Sequence, residues 1–236
     1  MNTLKLIIWA GVLIWTTSTL ALKESVYVGE AKHKDKLVYR EFHYLKHDSK
    51  GKLLSARTEY KNPEGKLLST LDSDFTTNLT APAHVQIDNI SETQYGIRYV
   101  NNQLTMFNQE KDKSEKIKIV QNSNNDGVLV GCQGLNYFVL ENFDLIKSKK
   151  KLPISFLIPG NLDSFNFDLK LVKEYENGEI DLELSIHSFW LKLFAPKLFV
   201  KYDRNKQRLL YYKGLSNIRD ENGNFQDVEI EYKYDT

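Results

Sequence analysis

The sequence is short of cysteine and proline. It holds one cysteine, Cys132, five prolines and twelve glycines among 236 residues. One cysteine cannot form an internal disulfide, which excludes the small disulfide-stapled modules found among exported proteins. So few prolines and glycines exclude a collagen-like or linker-dominated chain. The chain must therefore be stabilised by its core.

Excess charge is also lacking, because 32 basic residues face 31 acidic ones. A nearly neutral chain has no overall attraction to nucleic acid or to anionic membranes. We therefore expect no nucleic-acid partner and no strong membrane association. The 41% of hydrophobic residues suffices for the core of one ordinary domain.

Apolar runs of membrane-spanning length are absent too. The longest run, Leu6–Trp15, has ten residues, whereas a transmembrane helix needs about 20. Lys5 precedes the run, and small residues ending in Ala21 follow it. This pattern predicts a signal peptide over residues 1–21, export to the periplasm, and one mature domain over residues 22–236. An uncleaved membrane anchor is the alternative.

Alternating apolar and polar residues dominate the rest of the chain. Residues 165–171 and 180–186 each alternate, and Asn177-Gly178 between them is a strong hairpin signal. Asn62-Pro63-Glu64-Gly65 has the composition of a type I turn. A hairpin turn at Lys34-Asp35 would place His43 opposite Val26.

About ten or more antiparallel strands are predicted in this way. The fold class is mainly β, or β-rich α+β. So many strands form a large curved meander that closes into a half-barrel or barrel, or folds into a sandwich.

One segment has helical rather than strand periodicity. Leu135, Phe138, Val139, Phe143 and Ile146 recur at helical spacing, and Pro153 follows. This predicts one amphipathic helix near residues 133–148, which covers the concave face of the sheet.

No pattern of metal ligands or catalytic residues emerges. The sequence contains five histidines, which are His33, His43, His47, His84 and His187. No two of them lie in a predicted helix at the spacing of metal ligands, and no two are expected close enough in the predicted strands to share a metal. Gly214–Ile218 lacks the second glycine of a nucleophile elbow, and we interpret it as a turn. We therefore expect no metal, no cofactor, no catalytic residue and no enzyme activity.

Cys132 has two possible roles. It precedes the predicted helix, and a helix N-terminus can lower the pKa of a thiol. A free cysteine is also among the residues most often buried. The sequence leaves a reactive thiol and a core residue as alternatives.

The densest apolar cluster spans residues 188–196 and contains Phe189, Trp190 and Phe194. It is either buried core or an exposed hydrophobic lip. Together with Phe138 and Phe143 of the predicted helix, these aromatic residues are the candidates for binding an apolar ligand.

The C-terminal half resembles uncharacterised exported proteins of proteobacteria. The similarity lies in Phe138, Asn142-Phe143-Asp144, residues 154–160, Tyr202-Asp203, residues 208–210, residues 212–218 and residues 228–230. The resemblance implies an exported β-rich protein and no known activity. The predicted architecture is also similar to periplasmic lipoprotein carriers with half-barrel folds.

Three functional hypotheses follow, and the sequence leaves the oligomeric state open. The first is a non-enzymatic periplasmic protein that binds an apolar or lipid-like ligand under the helix. The second is an envelope adaptor that binds a partner protein through a strand edge or sheet face. The third is a hydrolase with an unfamiliar site.

Overall fold

Fifteen strands and two short helices are present in the computed structural model, which describes residues 23–121, 127–187 and 197–234. The predicted signal peptide and the cluster at 188–196 lie outside the described residues. The strands are β1 Lys23–His33, β2 Lys36–His47, β3 Leu53–Lys61, β4 Leu67–Asp74, β5 Ala83–Asp88, β6 Thr93–Val100, β7 Gln103–Glu110, β8 Lys116–Ile119, β9 Val128–Gly131, β10 Leu152–Ile158, β11 Asp163–Glu174, β12 Glu179–Ile186, β13 Leu198–Asp203, β14 Arg208–Arg219 and β15 Phe225–Tyr234. The helices are α1 Gly134–Glu141 and α2 Phe143–Ser148, and a single 3-10 turn spans Pro159–Asn161.

All fifteen strands belong to one curved sheet. Their order is β8-β7-β6-β5-β4-β3-β2-β1-β15-β14-β13-β12-β11-β10-β9. The predicted mainly antiparallel meander is confirmed. β1 pairs with β15, so the first and last described strands meet in the middle of the sheet. β9 and β10 are parallel, because the two helices lie between them and carry the chain back across the sheet.

Local turn chemistry determines the hairpins. Lys34 and Asp35 both have positive φ (48° and 63°), as the two central residues of a type I′ turn require. At Asn62-Pro63-Glu64-Gly65 the amide of Gly65 donates to the carbonyl of Asn62 at 2.9 Å. Both predicted turns are confirmed.

The turn predicted at residues 214–218 is wrong. These residues lie within strand β14, whose pairing with β15 shifts between Leu215 and Arg219. The hydroxyl of Ser216 is buried and hydrogen-bonded to the hydroxyl of Tyr39 at 2.9 Å. A polar partner inside the sheet therefore lets a polar segment continue as a strand.

The two ends of the sheet overlap. The inner face of β6 and β7 packs on the outer face of β9 and β10 through a cluster that contains Ile97, Met106 and Leu157. The amide of Gly131 donates to the carbonyl of Thr80 at 2.9 Å across this contact. We call the contact the overlap. The sheet therefore closes on itself by packing, with no strand pairing between β8 and β9.

The single predicted helix is two helices. Asn142 separates them with φ −124° and ψ 25°, and its side-chain amide donates to the carbonyl of Phe138 at 2.8 Å. The apolar faces of α1 and α2 pack on β9–β13 in the main core. Neither described helix has the length and hydropathy of a transmembrane helix.

Candidate functional site

A row of polar and aromatic side chains crosses the inner face of the sheet. The strand register places Tyr234, Tyr27, His43 and Thr58 beside one another on β15, β1, β2 and β3. The rings of Tyr234 and Tyr27 stack at 4.8 Å between centroids, and those of Tyr27 and His43 at 4.2 Å. The guanidinium of Arg208 lies 4.7 Å from the Tyr234 ring. The faces of these rings therefore pack against neighbouring rings or the Arg208 guanidinium. Only the ring edges and the hydroxyls are available to a ligand.

Three tyrosines around this row, Tyr27, Tyr137 of helix α1 and Tyr202 of β13, make no side-chain hydrogen bond to a described residue. Their hydroxyls are not among the buried side-chain atoms that lack a partner, so they remain accessible to water. Tyr27 and Tyr137 are half-buried, and Tyr137, Tyr202 and Tyr234 all lie near Tyr27. We call this group of four tyrosines and its surroundings the tyrosine chamber.

The chamber keeps its phenols protonated. Burial raises the pKa of Tyr27 far above its ordinary value, and the neighbouring Tyr137 and Tyr234 raise it further. Burial raises the pKa of Tyr202 as well, with smaller contributions from Tyr234 and Tyr137. The hydroxyls are therefore hydrogen-bond donors at neutral pH.

A chain of hydrogen bonds ties helix α1 to the sheet beside the chamber. The Gln133 amide donates to the Thr58 hydroxyl at 2.7 Å, and that hydroxyl lies 2.9 Å from His43 Nδ1. His43 Nε2 lies 2.9 Å from Glu41 Oε2, which also accepts from the Tyr232 hydroxyl at 3.1 Å. Because the Glu41 carboxylate can only accept, His43 Nε2 donates to it, and Nδ1 is left to accept from the Thr58 hydroxyl.

This chain has the order of a nucleophile, a base and an acid, but its geometry supports a structural role. Thr58 has no exposed surface, and a buried hydroxyl cannot attack a substrate. Gly29 makes the arrangement possible, because a Cβ there would lie 2.9 Å from the Tyr232 ring. The Tyr232 ring therefore lies across β1 and reaches Glu41 on β2.

The structure places two of the five predicted ligand-binding residues. Phe138 and Phe143 are 3% and 8% exposed, in the core under the helices. The Phe143 ring meets the Tyr202 ring edge-on at 6.1 Å, so Phe143 borders the chamber. Phe189, Trp190 and Phe194 lie outside the described residues. A ligand-binding role for these five residues stays a prediction.

Sequence reasoning missed the tyrosines. The alternation in β15 indicates that Tyr232 and Tyr234 share a face with Ile230. Whether a hydroxyl has a partner depends on residues far away in sequence, such as Glu41 for Tyr232. No local signal therefore distinguished the hydroxyls with partners from those without.

Cys132 is partly buried and packs against the core cluster that contains Tyr39, Tyr60 and Leu71. It adopts a left-handed conformation (φ 43°) just before helix α1. Burial raises the pKa of its thiol to about 12, and the charge of Glu41 raises it as well. These effects oppose thiolate formation and do not support the reactive-thiol alternative. Among the described residues, no group of three or more potential metal ligands occurs.

A groove of about 730 Å³ lies on the outer face of β2–β7. Phe107 lies at its floor, 3% exposed, with the Arg98 guanidinium 5.0 Å above its ring. The charges on its walls pair with one another: Arg57 donates to Asp72 at 2.8 Å. A ligand in this groove would have to displace existing ion pairs.

Comparisons with known proteins identify no family for this chain. No protein-family model matches the sequence, and no curated protein matches it either. Among solved structures, the chain is similar to a β-barrel-like protein of domain of unknown function DUF1849 from Brucella abortus. The two are 6% identical with a TM-score of 0.40, over 92% of this chain and 98% of that one. No conclusion about this chain rests on that likeness.

Proposed function

We propose that this protein is a non-enzymatic binding protein of the periplasm and that it holds one amphipathic, lipid-like ligand in the tyrosine chamber. The observation that carries the proposal is the cluster of Tyr27, Tyr137 and Tyr202, whose hydroxyls bond to no described residue and remain open to water or a ligand. Export to the periplasm rests on the pattern of residues 1–21.

Energetics favour a ligand at these hydroxyls. Hydroxyls that water can reach exchange a bond to water for a bond to the ligand, which contributes about 0.5–1.5 kcal/mol for each bond. Three neighbouring hydroxyls could make this exchange together by donating to acceptor oxygens of one head group. Because the stacked ring faces are occupied, recognition through the hydroxyl edges is favoured over aromatic stacking.

Phe143 supplies the apolar contact beside the hydroxyls, because its ring meets that of Tyr202. Phe143 also lines a cavity of about 480 Å³ at the break between α1 and α2, but the lining of that cavity is mostly polar, with Glu141, Asn142, Asp144, Arg204, Asn205 and Gln207 beside Leu140 and Leu145. An apolar portion of the ligand would therefore pack against Phe143 rather than fill this cavity.

Native mass spectrometry of the protein, produced with its own N-terminal segment and purified without detergent, tests the proposal. We expect a stoichiometric added mass that solvent extraction identifies as an amphiphile. The triple variant Tyr27→Phe, Tyr137→Phe, Tyr202→Phe should lose this mass, because it removes the three free donors and keeps the rings.

Tyr39→Phe is the matched control, since the Tyr39 hydroxyl already bonds to Ser216. It should retain the ligand. A wild-type protein that carries no bound molecule, or a triple variant that carries as much as wild type, would refute binding in the chamber.

A further inference from the structure

Strand β8, Lys116–Ile119, forms one end of the sheet with an open edge. On one side it pairs with β7, from Asn108 opposite Lys116 to Thr105 opposite Ile119. On the other side its backbone groups pair with no described strand. All four side chains are exposed, with Ile117 at 58% and Ile119 at 52%. An open edge of this kind is a template for another strand.

The two faces of β8 differ in chemistry. Ile117 lies opposite Phe107 on the outer face, which places it in an apolar row. Lys118 lies opposite Met106, whose side chain belongs to the cluster at the overlap, so the lysines project to the inner side. An added strand would therefore meet isoleucines on one face and lysines on the other.

A second copy of this strand is a poor occupant. Antiparallel pairing of β8 with itself, with isoleucines opposite isoleucines, places Lys118 opposite Lys118 or Lys116 opposite Lys118. Like charges directly across a strand pair are destabilising. Lysines on edge strands are a common protection against such self-pairing.

We propose that the β8 edge binds an extended segment of a partner protein in which acidic residues alternate with branched apolar residues. The acidic residues would face Lys116 and Lys118, and the apolar residues would face Ile117 and Ile119. This inference is independent of the tyrosine chamber.

The ion pairs that Lys116 and Lys118 already make do not prevent the binding of an acidic segment. Lys116 lies 3.8 Å from Glu110, and Lys118 lies 3.2 Å from Asp163. Both lysines are more than half exposed, and exposed pairs of this type contribute little to stability. Carboxylates on a hydrogen-bonded partner strand can replace them at little cost.

Fluorescence anisotropy with two short capped peptides tests the proposal. One peptide alternates glutamate with valine, and the other carries lysine in place of glutamate. We expect the acidic peptide to bind the intact protein at least about tenfold more tightly, from opposite-charge rather than like-charge cross-strand pairs. Its binding should shift the methyl resonances of Ile117 and Ile119 and should weaken with added salt.

Charge reversal at the edge supplies the decisive variant. The double variant Lys116→Glu, Lys118→Glu should reverse the preference between the peptides. The control Lys206→Glu changes an exposed lysine in the turn between β13 and β14 and should leave the preference unchanged. Binding of neither peptide, equal binding of both, resonance shifts confined to other strands, or an unreversed preference in the double variant would overturn the proposal.

Discussion

Gly134 begins helix α1 where the chain passes close to another backbone segment. A Cβ at this position would lie 1.8 Å from the Thr80 carbonyl oxygen and 2.9 Å from Pro82 Cδ. Backbone atoms cannot move aside as a flexible side chain can. Helix α1, which carries Tyr137 into the chamber, therefore depends on a residue without a side chain.

The substitution Gly134→Ala tests this contact. We expect a loss of about 1–3 kcal/mol in the free energy of unfolding, since the added methyl group forces a backbone shift. Gly160→Ala is the matched control, because the nearest atoms to its Cβ lie 3.9 Å away in the Tyr95 ring. Urea denaturation measures both, and an equal effect of the two substitutions would contradict the account.

Residue-level prediction from sequence succeeds for local chemistry and fails at a distance. The Lys34-Asp35 turn was predictable because its residues interact within the turn. His43 was expected opposite Val26, but the structure pairs it with Tyr27. A bulge between Ala31 and Lys32 shifts the register by one residue, and this shift places His43 in the inner row.

At the scale of elements, the overlap joins segments that are distant in sequence. His84 of β5 lies there, 4% exposed, and a Cβ on Gly131 of β9 would be 3.9 Å from its ring. Burial lowers the pKa of His84 to about 4, and its hydrogen bond to the Pro82 carbonyl opposes that shift only partly. The folded protein therefore holds His84 neutral in the overlap.

Acid should weaken the overlap through this histidine. The pKa of His84 is lower in the folded chain than the ordinary 6.5, so the unfolded chain binds the proton first as pH falls. Stability that is present above about pH 6.5 should decline down to about pH 4, by about 3 kcal/mol.

Urea denaturation across this pH range measures the effect. His84→Gln should flatten the decline, and His47→Gln on β2 should not. A wild-type protein and a His84→Gln variant with the same pH dependence would contradict the role of His84.

The overlap and the helix break were beyond sequence reasoning for the same reason. Periodicity reports which face of an element is buried. It identified both the helical segment and the strands that flank the turns. It does not report which element covers that face. The break at Asn142 depends on a side-chain bond to Phe138 and on how α1 and α2 fit inside the sheet.

At the scale of the whole molecule, the sheet wraps around two different interiors. One is the apolar core of the helices against β9–β13. The other is the tyrosine-rich inner face of β1, β2 and β15. A large curved sheet of about ten or more antiparallel strands was predictable from the sequence. The pairing of β1 with β15, which builds the second interior, was not, because it joins residues about 200 positions apart.

The central claim is that the free hydroxyls of the chamber serve a ligand and not the fold. The free energy of unfolding of the ligand-free triple variant Tyr27→Phe, Tyr137→Phe, Tyr202→Phe tests it most directly. The account predicts a stability equal to or above that of the ligand-free wild type, because no protein hydrogen bond is lost. Tyr39→Phe, which loses its bond to Ser216, should cost about 1 kcal/mol. A triple variant that loses about 1 kcal/mol for each hydroxyl, as Tyr39→Phe does, would contradict the claim.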